Sequence, residues 1–127
     1  MVQLDFEKSG GLIPAVAQDW QNNEVLMLAY ISPESWEETL RSGYATYYSR
    51  SRKALWKKGE SSGHLQKIRS ILVDCDLDTV IFKVEQAGPG ACHTGHRSCF
   101  YRAVAGDGLQ EVDTVVFDAD KVYQVKK

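Results

Sequence analysis

Two pairs of apolar, β-type segments limit what this chain can fold into. Residues 12–18 and 24–30 form the first pair, and residues 65–73 and 79–86 form the second. Within each pair, only a short segment rich in polar residues separates the two members. This arrangement predicts two β-hairpins.

One well-marked helix is predicted between the two pairs, over residues 33–42. Ser32 can cap the unpaired backbone N–H groups of the first turn, and Pro33 stands where no donor is needed. Gly43 is a natural stop because glycine tolerates the left-handed backbone that ends many helices.

The remaining segments are shorter or less regular. Residues 44–50 have the aromatic and β-branched bias of a strand, residues 51–64 form a basic, glycine-punctuated loop, and residues 100–104 form a short strand. The tail after Val104 is less legible, with room for a short C-terminal helix. We therefore expect an α+β fold, a compact and predominantly antiparallel single domain over residues 1–127 with one clear helix.

Length and charge argue against several classes of protein. A chain of 127 residues falls in the single-domain range, and its formal net charge of −2 gives no global field for nonspecific binding to nucleic acid or anionic membrane. The longest apolar run, residues 25–31, is too short to cross a bilayer, and the N-terminal residues lack the features of a secretory signal. We expect a cytoplasmic protein whose three cysteines stay reduced.

The cysteines are candidate metal ligands. Cys75, Cys92 and Cys99 all lie in predicted polar turns or loops, where ordinary buried thiols fit poorly. Three thiolates and a water molecule would form the open zinc site of an enzyme, whereas a fourth ligand, His93 or His96, would close it into a structural site. Buried or redox thiols are the other interpretation, and the spacing alone does not decide among the three.

Three aspartates surround the first cysteine at intervals of two. In an extended strand, residues two apart share a face, so Asp74, Asp76 and Asp78 would point to one side and Cys75 to the other. Carboxylate oxygens suit magnesium and a thiolate suits zinc. The alternative is a solvated turn, because aspartate is common in turns.

Basic, hydroxyl and aromatic side chains gather in residues 49–64. The guanidinium groups of Arg50 and Arg52 can hold phosphate oxygens, and hydroxyls such as that of Ser62 add shorter donors. Trp56 can stack on a purine. A solvated, positively charged loop is the alternative.

The three histidines are candidate acid–base groups. His93 adjoins Cys92 and can donate or accept a proton near neutral pH. His64 and His96 are weaker candidates, because a lone histidine is more often simply hydrogen-bonded.

These motifs resemble those of the phosphoribosyl-AMP cyclohydrolases of histidine biosynthesis, and they stand in the order of that family. The matching segments, which lie between residues 11 and 104, are Val25-Leu-Met-Leu-Ala-Tyr30, Tyr48-Ser-Arg-Ser-Arg52, Leu55-Trp-Lys-Lys-Gly-Glu60, Ser62-Gly-His64, Asp74-Cys75-Asp76-Leu77-Asp78, Gly90-Ala-Cys-His-Thr-Gly95 and Ser98-Cys-Phe-Tyr-Arg102. Ile31 and Ser32 depart from the Met-Asn that we expect there, and the tail after Val104 carries no motif of the family. Neither departure touches a candidate ligand.

The resemblance implies a reaction and two metals. Its members hydrolyse the N1–C6 bond of the adenine ring in 1-(5-phosphoribosyl)-AMP, using zinc and magnesium. Carried over by residue, the zinc ligands are Cys75, Cys92 and Cys99, and the magnesium ligands are Asp74, Asp76 and Asp78. We assign proton transfer to His93, and substrate contacts to Arg50, Arg52, Trp56, Ser62 and His64.

The resemblance also implies a homodimer in which Cys75 completes the zinc site of the other subunit. Some members are fused to the pyrophosphohydrolase of the preceding step, and this chain is expected to be monofunctional because it ends too early for that. Two rival interpretations are a zinc nucleobase deaminase, whose His-x-Glu and Pro-Cys-x-x-Cys pattern is absent, and a noncatalytic domain stabilised by zinc.

Overall fold

Most strands of the chain form one six-stranded sheet, and a hairpin beyond it forms a separate two-stranded sheet. The computed structural model describes residues 2–92, 94–113 and 115–116. The elements in chain order are β1 (Ile13–Asp19), β2 (Val25–Ile31), α1 (Pro33–Ser42), β3 (Thr46–Ser49), β4 (Ala54–Lys57), β5 (Gln66–Val73), β6 (Val80–Gln86), β7 (Arg102–Ala105) and β8 (Gly108–Glu111).

The two predicted hairpins are confirmed and lie side by side. β1 pairs with β2 and β5 pairs with β6, both antiparallel. The sheet order is β4-β3-β2-β1-β6-β5, so β1 and β6 join the two hairpins, and they do so as a parallel pair. The predicted α+β class with a mostly antiparallel sheet is confirmed, with this single parallel pairing as an addition.

Helix α1 has the limits that the sequence predicts. The Ser32 hydroxyl accepts from the backbone N–H of Ser35, and the Ser35 side chain accepts in turn from the backbone N–H of Ser32. Gly43 ends the helix with φ of 79° and donates to the oxygen of Thr39 at 3.0 Å. The helix is fixed on the sheet by Trp36, which is 4% exposed and stacks on Phe82.

Two stretches differ from the sequence prediction. Residues 54–57, assigned to a loop, form strand β4, because the Trp56 ring packs on Tyr47 with their centroids 5.2 Å apart and this burial outweighs the basic flanks. The strand predicted over residues 100–104 begins at Arg102, and its partner β8 was not predicted. A C-terminal helix would lie outside the described residues.

Strand β6 connects the two regions that carry the candidate metal ligands. The aspartate turn, residues 74–78, precedes it, and the cysteine loop, residues 91–99, follows it after a short connection. Phe82 and Val84 of β6 are completely buried, so the middle of the strand is fixed in the packed core between these two regions. Over the described ranges, no helix combines the length and apolar character needed to span a membrane.

Candidate active site

The cysteine loop is a closed turn anchored to the sheet. The backbone N–H of Cys92 donates to the oxygen of His96 at 3.1 Å, which closes the loop on itself. The backbone N–H of Cys99 donates to the oxygen of Leu26 in β2 at 2.7 Å. These two bonds fix the backbone positions of Cys92 and Cys99.

A second anchor comes from a charged side chain of this loop. The guanidinium group of Arg97 binds the carboxylates of Asp19 and Glu24, the latter at 2.6 Å. Arg97 was not predicted as an anchor, because nothing local in the sequence indicates that residues more than seventy positions away are its partners.

The two thiols of the loop lie close enough to influence each other. Cys92 is buried, whereas part of Cys99 reaches the surface. Burial, together with the neighbouring Cys92, raises the pKa of the Cys99 thiol to about 12, although the positive charge of Lys58 opposes this rise. Zinc binds cysteine as the thiolate and supplies the positive charge that would offset the burial of Cys99, so two adjacent sulfur atoms suit this soft cation. The donor set therefore fits zinc.

Lys58 lies beside this cysteine pair and was missed by the sequence analysis. Its side chain is buried, and its Nζ donates a 2.6 Å hydrogen bond to the backbone oxygen of Ala91. The sequence offered one signal: Trp56 and Lys58 are two apart at a strand end and so share a face, and Trp56 is the residue that packs inward.

The predicted substrate-binding residues border two neighbouring cavities. A cavity of about 610 Å³ adjoins Lys58 and is lined by Ser49, Ser51, Arg52, Trp56, Lys57, Lys58, Gly59, Glu60, Ser61 and Ser62. A second cavity of about 550 Å³ shares Trp56 as a lining residue and is bordered by Arg50, whose guanidinium group lies over the Tyr30 ring at 4.1 Å. The structure thus brings Arg50, Arg52, Trp56 and Ser62 together around connected concave surfaces.

His64 has a different position from these four residues. It is buried, its Nδ1 lies 3.1 Å from the backbone oxygen of Gly90, and its ring fills the space beside Gly88. A Cβ at Gly88 would lie 2.3 Å from the ring, and φ there is 75°, so glycine is required. His64 connects the basic segment to the cysteine loop and lines neither cavity.

The three aspartates converge, but not in the way the sequence analysis expected. A turn, and not an extended strand, holds Asp74, Asp76 and Asp78, with Leu77 in the left-handed region at φ of 66°. The carboxylate of Asp74 accepts from the backbone N–H groups of Asp78 and Thr79 at 3.0 and 3.2 Å, which closes the turn. One carboxylate oxygen of each aspartate lies within 4.8 Å of the others.

The charges of this turn are only partly compensated. Burial and the neighbouring carboxylates of Asp74 and Asp76 raise the pKa of Asp78. The pKa of Asp76 is lowered, chiefly by its hydrogen bond from Lys8, whose Nζ lies 3.2 Å from Asp76 Oδ2 and 3.4 Å from Asp78 Oδ2. The oxygen set fits a hard divalent cation, with Lys8 as the internal competitor.

Cys75 and the other two cysteines lie at opposite ends of β6. The strand runs from Val80 to Gln86, which corresponds to about 20 Å. Among the residues that the structure describes, the aspartates form the only group of three or more potential ligands close enough to share an ion. One chain therefore does not join Cys75 to Cys92 and Cys99. His93, the predicted proton-transfer residue, lies outside the described residues.

Comparison with known proteins identifies close relatives. The family model of phosphoribosyl-AMP cyclohydrolase matches residues 27–101. A phosphoribosyl-AMP cyclohydrolase of Desulfatibacillum aliphaticivorans is 59% identical over 124 residues, covering 98% of this chain and 99% of the relative. Another, of Desulfotalea psychrophila, is 60% identical over 127 residues, covering 99% and 100%. A histidine biosynthesis bifunctional protein of Thermoanaerobacter pseudethanolicus is 53% identical over 124 residues, which are 98% of this chain and 56% of that protein.

Proposed function

The chain belongs to the phosphoribosyl-AMP cyclohydrolase family of enzymes, and from this premise we propose that it opens the adenine ring of 1-(5-phosphoribosyl)-AMP in the third step of histidine biosynthesis. Water adds at C6 and the N1–C6 bond breaks, giving the phosphoribosylformimino-aminoimidazole carboxamide ribotide. The observation that carries the proposal is the pair of thiols beside a basic cavity, linked by Lys58. We expect this reaction to take place in the cytoplasm.

The proposed enzyme would use two metal ions, and each would be held by ligands whose chemistry suits it. Cys92 and Cys99, with Cys75 of a second subunit, would hold zinc, and the aspartates at 74, 76 and 78 would hold magnesium. When bound, zinc supplies the Lewis acidity that makes water a nucleophile near neutral pH.

The basic cavity would hold the phosphate groups of the substrate. Arg52 offers a planar fork of donors, and Ser62 adds a hydroxyl to the lining of the same cavity. Trp56 lines both cavities, so a purine stacked on it would be held close to the phosphate donors. His64 would act from behind the cavity wall, through Gly90, and not by direct contact.

Proton transfer is assigned to His93, which follows Cys92 directly in the sequence. Departure of N1 as an amine requires a proton, and imidazole can deliver it near neutral pH.

The zinc site would be shared between the subunits of a homodimer. In support, Cys75, Cys92 and Cys99 of one chain, all three of them described, do not form a group close enough to share an ion. A two-fold axis that brings the aspartate turn of one subunit to the cysteine loop of the other would complete two equivalent sites.

An ultraviolet assay with phosphoribosyl-AMP tests the proposal, with zinc and magnesium varied independently. We expect turnover that chelation abolishes and that added zinc restores, while the circular dichroism of the chelated protein stays that of a folded chain. If chelation instead unfolds the protein and no turnover occurs under any metal condition, the chain is a domain that zinc merely stabilises. Release of ammonia would indicate a nucleobase deaminase instead.

A further inference from the structure

Three side chains of the cysteine loop form a hydrogen-bonded series that ends on a thiol. Thr94 Oγ1 lies 2.9 Å from Cys92 Sγ and 2.9 Å from His96 Nδ1. Cys92 and His96 are each 4% exposed, whereas Thr94 is exposed, so an exposed hydroxyl bridges a buried thiol and a buried imidazole.

The chemistry of a thiolate fixes the direction of these hydrogen bonds. A thiolate has no proton and can only accept, so the Thr94 hydroxyl must donate to the sulfur of Cys92. The hydroxyl oxygen then has only lone pairs to offer His96, so the series requires that Nδ1 of His96 carry a proton and donate to Thr94. His96 is thereby the group that orients the Thr94 hydroxyl toward the sulfur.

Packing holds the His96 ring in place for this task. The ring stacks on Tyr101, with 3.6 Å between centroids and 7° between planes. Its Nε2 is buried without a hydrogen bond to any described residue, and the nearest carboxylate oxygen, Glu111 Oε1, lies 3.4 Å away. The backbone N–H of Val116 donates to the oxygen of Gly95 at 2.8 Å, so the chain beyond the β7–β8 hairpin, which carries no recognised motif, supports the loop.

We infer that Thr94 and His96 are positioning residues for Cys92, which orient its thiolate by a directed hydrogen bond and thereby strengthen zinc binding. The inference rests on the proposed function in one respect, namely that Cys92 is a zinc ligand. The series also accounts for why a buried histidine points its Nδ1 at a surface hydroxyl and not at a backbone group.

The first experiment measures zinc affinity and not activity. Metal-free wild type, Thr94→Val and Thr94→Ser compete for zinc with a chromophoric chelator, and their thermal unfolding without metal is recorded in parallel. Valine keeps the shape of threonine and lacks the hydroxyl, so we expect binding to weaken roughly 10- to 100-fold, the range seen when such supporting contacts are lost. Serine keeps the hydroxyl and should bind like the wild type. The three metal-free proteins should unfold at similar temperatures.

A second pair of variants tests whether His96 acts through Thr94. Asparagine can place an N–H near the position of Nδ1, so His96→Asn should retain most of the zinc affinity that His96→Leu loses. In the Thr94→Val background, His96→Leu should add little further loss, because the bond that it orients is already absent.

Each other outcome overturns the inference. The series has only a structural role if Thr94→Val binds zinc as tightly as the wild type, or if the valine and serine variants lose equal affinity. The same conclusion follows if the losses add in the double variant, or if the metal-free protein is destabilised in proportion to the lost affinity. Cys92→Ser serves as the reference. If the wild type binds zinc no better than Cys92→Ser, the proposed zinc site itself fails, and that result differs from an unaffected Thr94→Val.

Discussion

The ammonium group of Lys58 donates a 2.6 Å hydrogen bond to the backbone oxygen of Ala91, the residue before Cys92. This bond joins the wall of the basic cavity to the first thiol of the cysteine loop. A substrate phosphate in that cavity and a metal on the thiols would therefore be held by parts of the protein that are connected through one side chain.

We expect Lys58→Met to lower kcat/KM roughly 10- to 100-fold, because it leaves the buried oxygen of Ala91 without this donor and removes a positive charge near Cys99. Steady-state kinetics with saturating zinc and magnesium measures the effect. Lys57→Met is the matched control, since Lys57 lines the same cavity but has its ammonium group 5.1 Å over the Tyr44 ring. Equal losses in the two variants would contradict a special role for Lys58.

Local signals in the sequence were sufficient for the helix and both hairpins. Ser32, Pro33 and Gly43 mark the ends of α1 through backbone chemistry that acts within a few residues. Local signals could not predict the parallel pairing of β1 with β6, because this pairing depends on which hairpin edges meet when the core forms. Strand β4 was missed for a related reason. Its residues form a strand because Trp56 packs on Tyr47, and the basic sequence around Trp56 does not indicate this contact.

The candidate site shows the same division. The aspartates and cysteines were proposed as ligands from residue type and spacing, and residues 74–78 were predicted to connect the second hairpin. The left-handed backbone at Leu77, within the turn that brings the carboxylates together, was not predicted. Arg97 and Lys58 were missed because their partners, Asp19 and Ala91, are distant in sequence. Residue chemistry is local, whereas the arrangement of these residues is a property of the fold.

The separation of Cys75 from the cysteine loop predicts complementation between inactive variants. Cys75→Ser and Cys92→Ser should each be inactive, and a mixed dimer should contain one site with all three cysteines and one with neither Cys75 nor Cys92. After unfolding and refolding of an equal mixture, random pairing should restore about a quarter of the wild-type activity. Refolding each variant alone is the control. No recovery in the mixture, with dimers verified by mass, would mean that each zinc site is built within one chain.

Lys8 is expected to compete with magnesium for the aspartate turn. Its ammonium group lies within 3.4 Å of carboxylate oxygens of Asp76 and Asp78, so a divalent ion must displace or share it. Lys8→Met should therefore lower the magnesium concentration for half-maximal activity by roughly two- to fivefold, as befits exposed ion pairs, and Asp76→Asn should raise it while zinc content is unchanged. Lys83→Met, whose lysine binds Asn23 instead, is the control. If neither Lys8→Met nor Asp76→Asn changes the magnesium response, the aspartate turn is a solvated turn and not the magnesium site.

Asp19 is expected to make the stability of the fold depend on acid pH. Burial by itself would raise the pKa of Asp19, but hydrogen bonds from the backbone N–H groups of Gln21 and Asn22, together with Arg97, outweigh burial and hold the pKa below its usual value. A carboxyl whose pKa is lower in the folded than in the unfolded state stabilises the fold above pH about 4, and the stabilisation is lost as the pH falls through the folded pKa. Asp19→Asn should therefore lower the free energy of unfolding by about 2 kcal/mol at pH 7, and the gap from wild type should shrink at pH 3. Urea unfolding at both pH values measures this, with the exposed Glu37→Gln on α1 as the control. A gap of the same size at both pH values would show that the variant acts through packing and not through the charge of Asp19.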